Sequence, residues 1–161
     1  MAKLLVGVAL VFFCGFCGYV LSKKYRLRKE FYTQFFSFNR SFLSEISFSR
    51  RPIEAWTEKK RYSGEFDCTL KSFLASLKSG DATLNAFFCP DFLTNDEKSF
   101  VREYFSSLGR GNSEGQKGLF TAAEKTICAQ KERAEKDAAR YCDLYVKMGV
   151  LLGLTLLILL I

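Results

Sequence analysis

The chain has 161 residues, a net charge of +7, 25% charged residues and no histidine. That length suits one domain, and the apolar content is high enough for a folded rather than a disordered chain. Without histidine, Cys-His and Ser-His nucleophile pairs and histidine-ligated zinc are excluded.

The charge is unevenly spread. Leu4 to Leu21 is an 18-residue run without a charge, and Met148 to Ile161 is a second of 14 residues. All 17 acidic and 23 of the 24 basic residues lie between them. At 1.5 Å per residue the first run reaches about 27 Å, close to the roughly 30 Å hydrocarbon core. Residues 1–22 are therefore predicted to form a transmembrane helix. A cleaved signal peptide is the alternative, with Lys3 as its basic start. Ser22 before Lys23-Lys24 is a poor cleavage site, however, and five basic residues follow at once, which favours an uncleaved anchor. A lipoprotein site at Cys14 is disfavoured by Phe12 and Phe13 before it.

Residues 23–145 are predicted to be a cytoplasmic helical bundle. From Glu30 to Ser49 no breaker occurs, and Phe31, Phe35, Phe38, Phe42 and Ile46 recur at helical steps on one face. The first span and this helix are expected to share one rod. Arg51-Pro52 ends it. Pro52 suits the first turn of a second helix, Ile53 to Arg61, carrying Trp56. Ser63-Gly64 breaks the pattern before a third helix, Glu65 to Lys78. Asp81 caps a short fourth helix with Leu84, Phe87 and Phe88, closed by Cys89-Pro90. Thr94 and Glu97 read as the capping box of a fifth helix through Leu108. Gly109, Gly111 and Gly115 mark a loop. From Gln116 the chain lacks proline, and Ala123, Ile127, Ala134, Ala138, Tyr141, Tyr145 and Met148 form a stripe. This last helix is expected to continue into a second span, residues 146–161. Its apolar run alone reaches only about 21 Å, but Lys147 can snorkel so that Leu144, Tyr145 and Val146 join the span. The fold class is all-α: a bundle of five to six helices flanked by an N-terminal and a C-terminal transmembrane helix.

Basic residues near the spans set orientation. Lys23, Lys24, Arg26, Arg28 and Lys29 place the middle domain in the cytoplasm and both termini on the far side. The same five residues are candidates for contact with anionic lipid headgroups. Nucleic acid is not an expected partner, because the phenylalanines fall on a buried-type stripe rather than a basic-aromatic platform. Cys14 and Cys17 have C-x-x-C spacing but lie in the first apolar run, without further ligands for zinc. The remaining cysteines, at 68, 89, 128 and 142, are scattered, so no disulfide framework is expected. The glycine-rich stretch at Gly109–Gly118 lacks the Gly-Lys-Ser/Thr ending of a phosphate loop. No catalytic residue, cofactor, metal or small-molecule substrate is predicted. The 17 phenylalanines exceed what a small bundle usually needs, and divide in an unknown ratio between core and a docking surface. Gly149 and Gly153, four apart, are candidates for close helix packing in the membrane, and Gly15 and Gly18 are a weaker pair.

Three stretches carry a family resemblance. Arg140-Tyr141, then Lys147-Met148-Gly149-Val150-Leu151-Leu152-Gly153-Leu154 to Ile161, resembles the closing segment of the stage III sporulation protein AB family of endospore-forming bacteria. That segment has a Lys/Arg-Tyr pair, then Leu-Gly-x-Leu-x-Gly-Leu and an aliphatic tail, and Met148 stands where leucine is usual. Leu108-Gly109-x-x-Asn112-x-x-x-Gln116 resembles the family's Leu-Gly-x-x-Asp-x-x-x-Gln. Asn112 replaces the acid there, which removes a role needing charge but keeps one in helix capping. Glu45-Ile46 followed by Pro52-Ile53-Glu54-Ala55 is a third, weaker match. The family's cytoplasmic domain is similar to the helical domain of the inner-membrane platform protein of type II secretion and type IV pilus systems. The resemblance implies a non-enzymatic platform subunit of a channel complex between mother cell and forespore, in the mother-cell membrane. Its implied partners are an assembly ATPase and other membrane subunits. The alternative from composition is a stand-alone module that binds anionic lipid through its basic collar.

Overall fold

The computed structural model describes residues 2–48, 61–79, 87–108 and 113–160; the side chains of 2–8, 46–48, 79, 113–114 and 160 lie outside the description. Four helices are present among these residues: α1 (Ala2–Phe48), α2 (Gly64–Ser79), α3 (Asn95–Ser107) and α4 (Ser113–Leu160). No strand occurs among them. The all-α class therefore holds, and four of the expected helices fall among the described residues. The helix expected at Ile53 to Arg61 lies outside the described residues except Arg61, which is not helical. The helix expected from Asp81 falls partly outside as well. Its described end, Phe87 and Phe88, is not helical, and Cys89-Pro90 closes it as expected. Cys89-Pro90 explains this, since the residue before proline is driven to extended backbone.

α1 is continuous over 47 residues and α4 over 48. Neither contains an internal proline, so nothing removes an interior backbone donor. The chain packs as two compact units: Met1–Lys29 with Arg133–Ile161, and Glu30–Glu132.

The Glu30–Glu132 unit is built around aromatic rings. Phe31, Phe35, Phe38 and Phe42 of α1 are buried, as are Phe66 and Phe73 of α2, Phe87, Phe105 of α3 and Phe120 of α4. Nine of the 17 phenylalanines are thus core. Phe35 is a hub, 4.7 Å from Tyr104 edge-on and 5.6 Å from Phe66. Such ring pairs add about 0.5–1.5 kcal/mol beyond area burial.

One polar group threads this core. Asn39 is fully buried; its Oδ1 accepts from the Tyr104 hydroxyl at 2.8 Å, and its Nδ2 donates to the Phe120 carbonyl at 3.4 Å. It links α1, α3 and α4. Burial pushes the Tyr104 phenol well above its ordinary range and that of Tyr62 up to about 12.

Helix ends follow local chemistry. Thr94 accepts from the Glu97 backbone N–H at 3.3 Å, and the Glu97 carboxylate accepts from the Thr94 N–H at 2.9 Å, a complete capping box. At the start of α2, Gly64 has φ +67°, and a Cβ there would lie 2.8 Å from Glu30 Oε1. The positive φ favours glycine, while the exposed Glu30 side chain could swing aside. On α4, Ile127 and Ala134 are buried with Phe120, which lies on the same stripe. Met148 departs from the expected stripe and is 53% exposed.

Candidate functional site: the paired end helices and their basic collar

The Met1–Lys29/Arg133–Ile161 unit consists of the first part of α1 and the last part of α4. They run antiparallel, because successive contacts climb one helix as they descend the other. Val11 meets Gly153, Cys14 meets Gly149, and Gly18 meets Tyr145. A Cβ on Gly149 would lie 2.6 Å from the Cys14 carbonyl oxygen, and one on Gly153 2.7 Å from Val11 Cα. A Cβ on Gly18 would overlap the Tyr145 carbonyl. Backbone faces backbone at all three, so no side chain fits. Small residues let two helices approach this closely. At Gly15 the nearest atom is Val150 Cγ2 at 3.8 Å, an ordinary contact.

The same seam turns polar toward the middle of the chain. Ser22 is fully buried and donates to the Tyr19 carbonyl at 2.7 Å, as a back-bonded helical serine does. The Cys142 thiol donates to the Ser22 carbonyl at 3.6 Å. One layer further, Tyr25 stacks on Tyr141 with ring centres 4.9 Å apart. Arg28 then pairs with Asp137 at 3.0 Å.

Among the described residues one helix is long and apolar enough to cross a membrane, Gly115–Leu159, and only 6% of its apolar window is buried. A core helix of the same composition would be mostly covered. Here Ile158 and Leu159 are 74% and 86% exposed. Phe12, Phe13 and Phe16 of α1 are likewise exposed, the first at 76%. An apolar surface of this kind favours lipid over water.

Charge divides sharply between the units. The Glu30–Glu132 unit holds fourteen basic and fourteen acidic residues. The paired-helix unit holds ten basic and three acidic ones, so it carries the whole net charge of +7. Of the five predicted headgroup residues, Lys23, Lys24, Arg26 and Lys29 are exposed. Arg28 is committed to Asp137 across the seam. The Arg26 guanidinium lies 4.5 Å from the Tyr19 ring centre, and Lys147 pairs with Asp143 at 2.6 Å.

The motif around residue 110 is only partly described. Leu108 is the buried C-cap of α3, its N–H donating to the Phe105 carbonyl at 3.2 Å. Gln116 lies in the first turn of α4 and is half-buried, whereas Gly109 and Asn112 lie outside the described residues. Beside this motif an open groove of about 530 Å³ runs between α3 and α4, lined by Phe100, Glu103, Leu119 and Ala123 among others. Among the described residues no group of three metal-ligating side chains occurs. All six cysteines are free thiols.

Sequence reasoning missed Ser22, Tyr25 and Cys142 as seam residues. Their signal was weak: a serine, a tyrosine and a cysteine at helical spacing are visible only once the partner helix is in register. The chain belongs to the stage III sporulation protein AB family, whose profile matches residues 3–161. No curated protein and no solved structure matches it.

Proposed function

We propose that this sporulation protein is a non-enzymatic, two-pass membrane platform subunit of a secretion-like channel complex between mother cell and forespore. Its middle domain faces the mother-cell cytoplasm and both termini lie on the far side. Its partners are a cognate assembly ATPase, met by the middle domain, and other membrane subunits, met by the spans. The observation that carries this reading is the pairing of two end helices backbone-to-backbone, with large apolar side chains left exposed around them. Such a pair suits a bilayer better than water. Basic residues at one end of the pair support the orientation.

Mild crosslinking in sporulating cells, followed by affinity purification, tests the reading. Recovery with an ATPase and further membrane subunits is expected. Recovery only as a lone species overturns it and leaves the stand-alone lipid-binding module.

A further inference from the structure

The paired-helix unit carries more than charge. Tyr25 and Tyr141 stack at 4.9 Å with 22° between their planes, and Tyr145 lies 6.0 Å from Tyr25. A cation flanks the cluster on each helix. Lys24 Nζ is 5.0 Å from the Tyr25 ring centre and Arg140 Cζ is 5.7 Å from that of Tyr141. Both cations are exposed. Arg28 and Lys147 are each taken by an aspartate of α4, whereas Lys24 and Arg140 ion-pair with no described residue. The stack also lies at a defined depth. Tyr25 comes four residues after Leu21, the last of the apolar run, so it stands about 6 Å along the helix beyond it. The headgroup layer is roughly 5–8 Å thick on each face of a bilayer, and tyrosine belongs at that level.

We propose that Lys24, Arg140 and the Tyr25–Tyr141–Tyr145 stack form a binding site for the headgroup of one anionic glycerophospholipid. The two cations take the phosphate. The rings, stacked on one another, present their edges to the glycerol and first methylenes. A soluble phosphate would use the cations but gain nothing from the ring edges, so the site selects lipid. The proposal rests on the two-pass reading, because the stack must lie at headgroup depth.

The test uses the full-length protein in neutral detergent, where no bilayer surface potential contributes. Phosphatidylglycerol is titrated in and retained lipid is counted by native mass spectrometry, with phosphatidylcholine as reference. One phosphatidylglycerol is expected to be retained in preference. Lys24→Gln with Arg140→Gln should weaken retention about tenfold per cation removed, since a charge-assisted hydrogen bond is worth about 1.5 kcal/mol or more. Arg133→Gln with Lys136→Gln removes the same charge from the same paired-helix unit and should leave retention unchanged. Tyr25→Phe should keep it largely intact and Tyr25→Leu should lose it, because the leucine cannot stack.

Equal weakening by the two double variants would reduce the effect to bulk charge and overturn the site. Displacement by millimolar inorganic phosphate would overturn the choice of lipid. Alkaline extraction of membranes separates the two layers of the argument. Release of the protein from membranes defeats the two-pass reading. Protein that resists extraction yet retains no phosphatidylglycerol defeats the site alone.

Discussion

Gly149→Ala is expected to open the helix pair. The added Cβ would stand 2.6 Å from the Cys14 carbonyl oxygen, against about 3.4 Å for an ordinary contact, so the helices must part locally by about 0.8 Å. A gap of that size forfeits roughly a quarter to a half of each dispersion contact along the seam. Overpacking of this kind costs about 1–3 kcal/mol, and its midpoint corresponds to roughly a 30-fold shift toward the open pair. Cys142 reports it, because its thiol donates across the seam to the Ser22 carbonyl. Its maleimide labelling rate in detergent should rise by about that factor, while the already exposed Cys17 should label unchanged. Gly153→Ala, facing Val11 Cα at 2.7 Å, should behave alike. Gly15→Ala meets only ordinary contact at 3.8 Å and should leave Cys142 shielded. Equal Cys142 rates in the Gly149 and Gly15 variants would refute the close-approach argument.

Three further outcomes are expected. Asn39→Leu should lower stability by about 1–3 kcal/mol, because the Tyr104 hydroxyl loses its acceptor inside the core; thermal melting followed by circular dichroism checks it, and an unchanged midpoint would remove Asn39 as a structural link. The Tyr62 phenol, pushed up to about 12 by burial, titrates above its unfolded range near 10. Stability it contributes is present below pH 10 and lost as pH rises through 10 to 12, so Tyr62→Phe should move the alkaline unfolding limb to higher pH. An impermeant thiol reagent should miss exposed Cys68 in intact cells and reach it after lysis; labelling in intact cells would reverse the topology, and a denatured control separates topology from burial.

What the sequence disclosed depended on whether the determining interaction was local. The faces of α1, α2 and α3 were legible because burial on one side of a helix writes an i, i+3, i+4 pattern into neighbouring residues. The Thr94–Glu97 box was legible for the same reason. Gly149 and Gly153 could be marked by their spacing, but Gly18 could not be ranked, since its constraint comes from Tyr145 more than a hundred residues away. Arg28 illustrates the same limit. Along the chain it is one of five similar cations, and only the register of α4 brings Asp137 to it. Phe87 and Phe88, at the end of the helix expected from Asp81, are not helical, because the approach to Cys89-Pro90 favours extended backbone over apolar spacing.

The division of charge bears on the choice between the two functional readings. Anionic lipid attracts basic residues over about a Debye length only. All the net charge available for that attraction sits on the paired-helix unit, so a lipid-binding module would need nothing else. It assigns no work to residues 30–132, a balanced unit of fourteen charges of each sign built around nine buried phenylalanines. A unit without net charge gains little from an anionic surface and must be recognised through shape and local pairing instead. Those are the terms on which one protein docks on another. The partition of charge therefore favours the proposed platform reading over a stand-alone lipid-binding module.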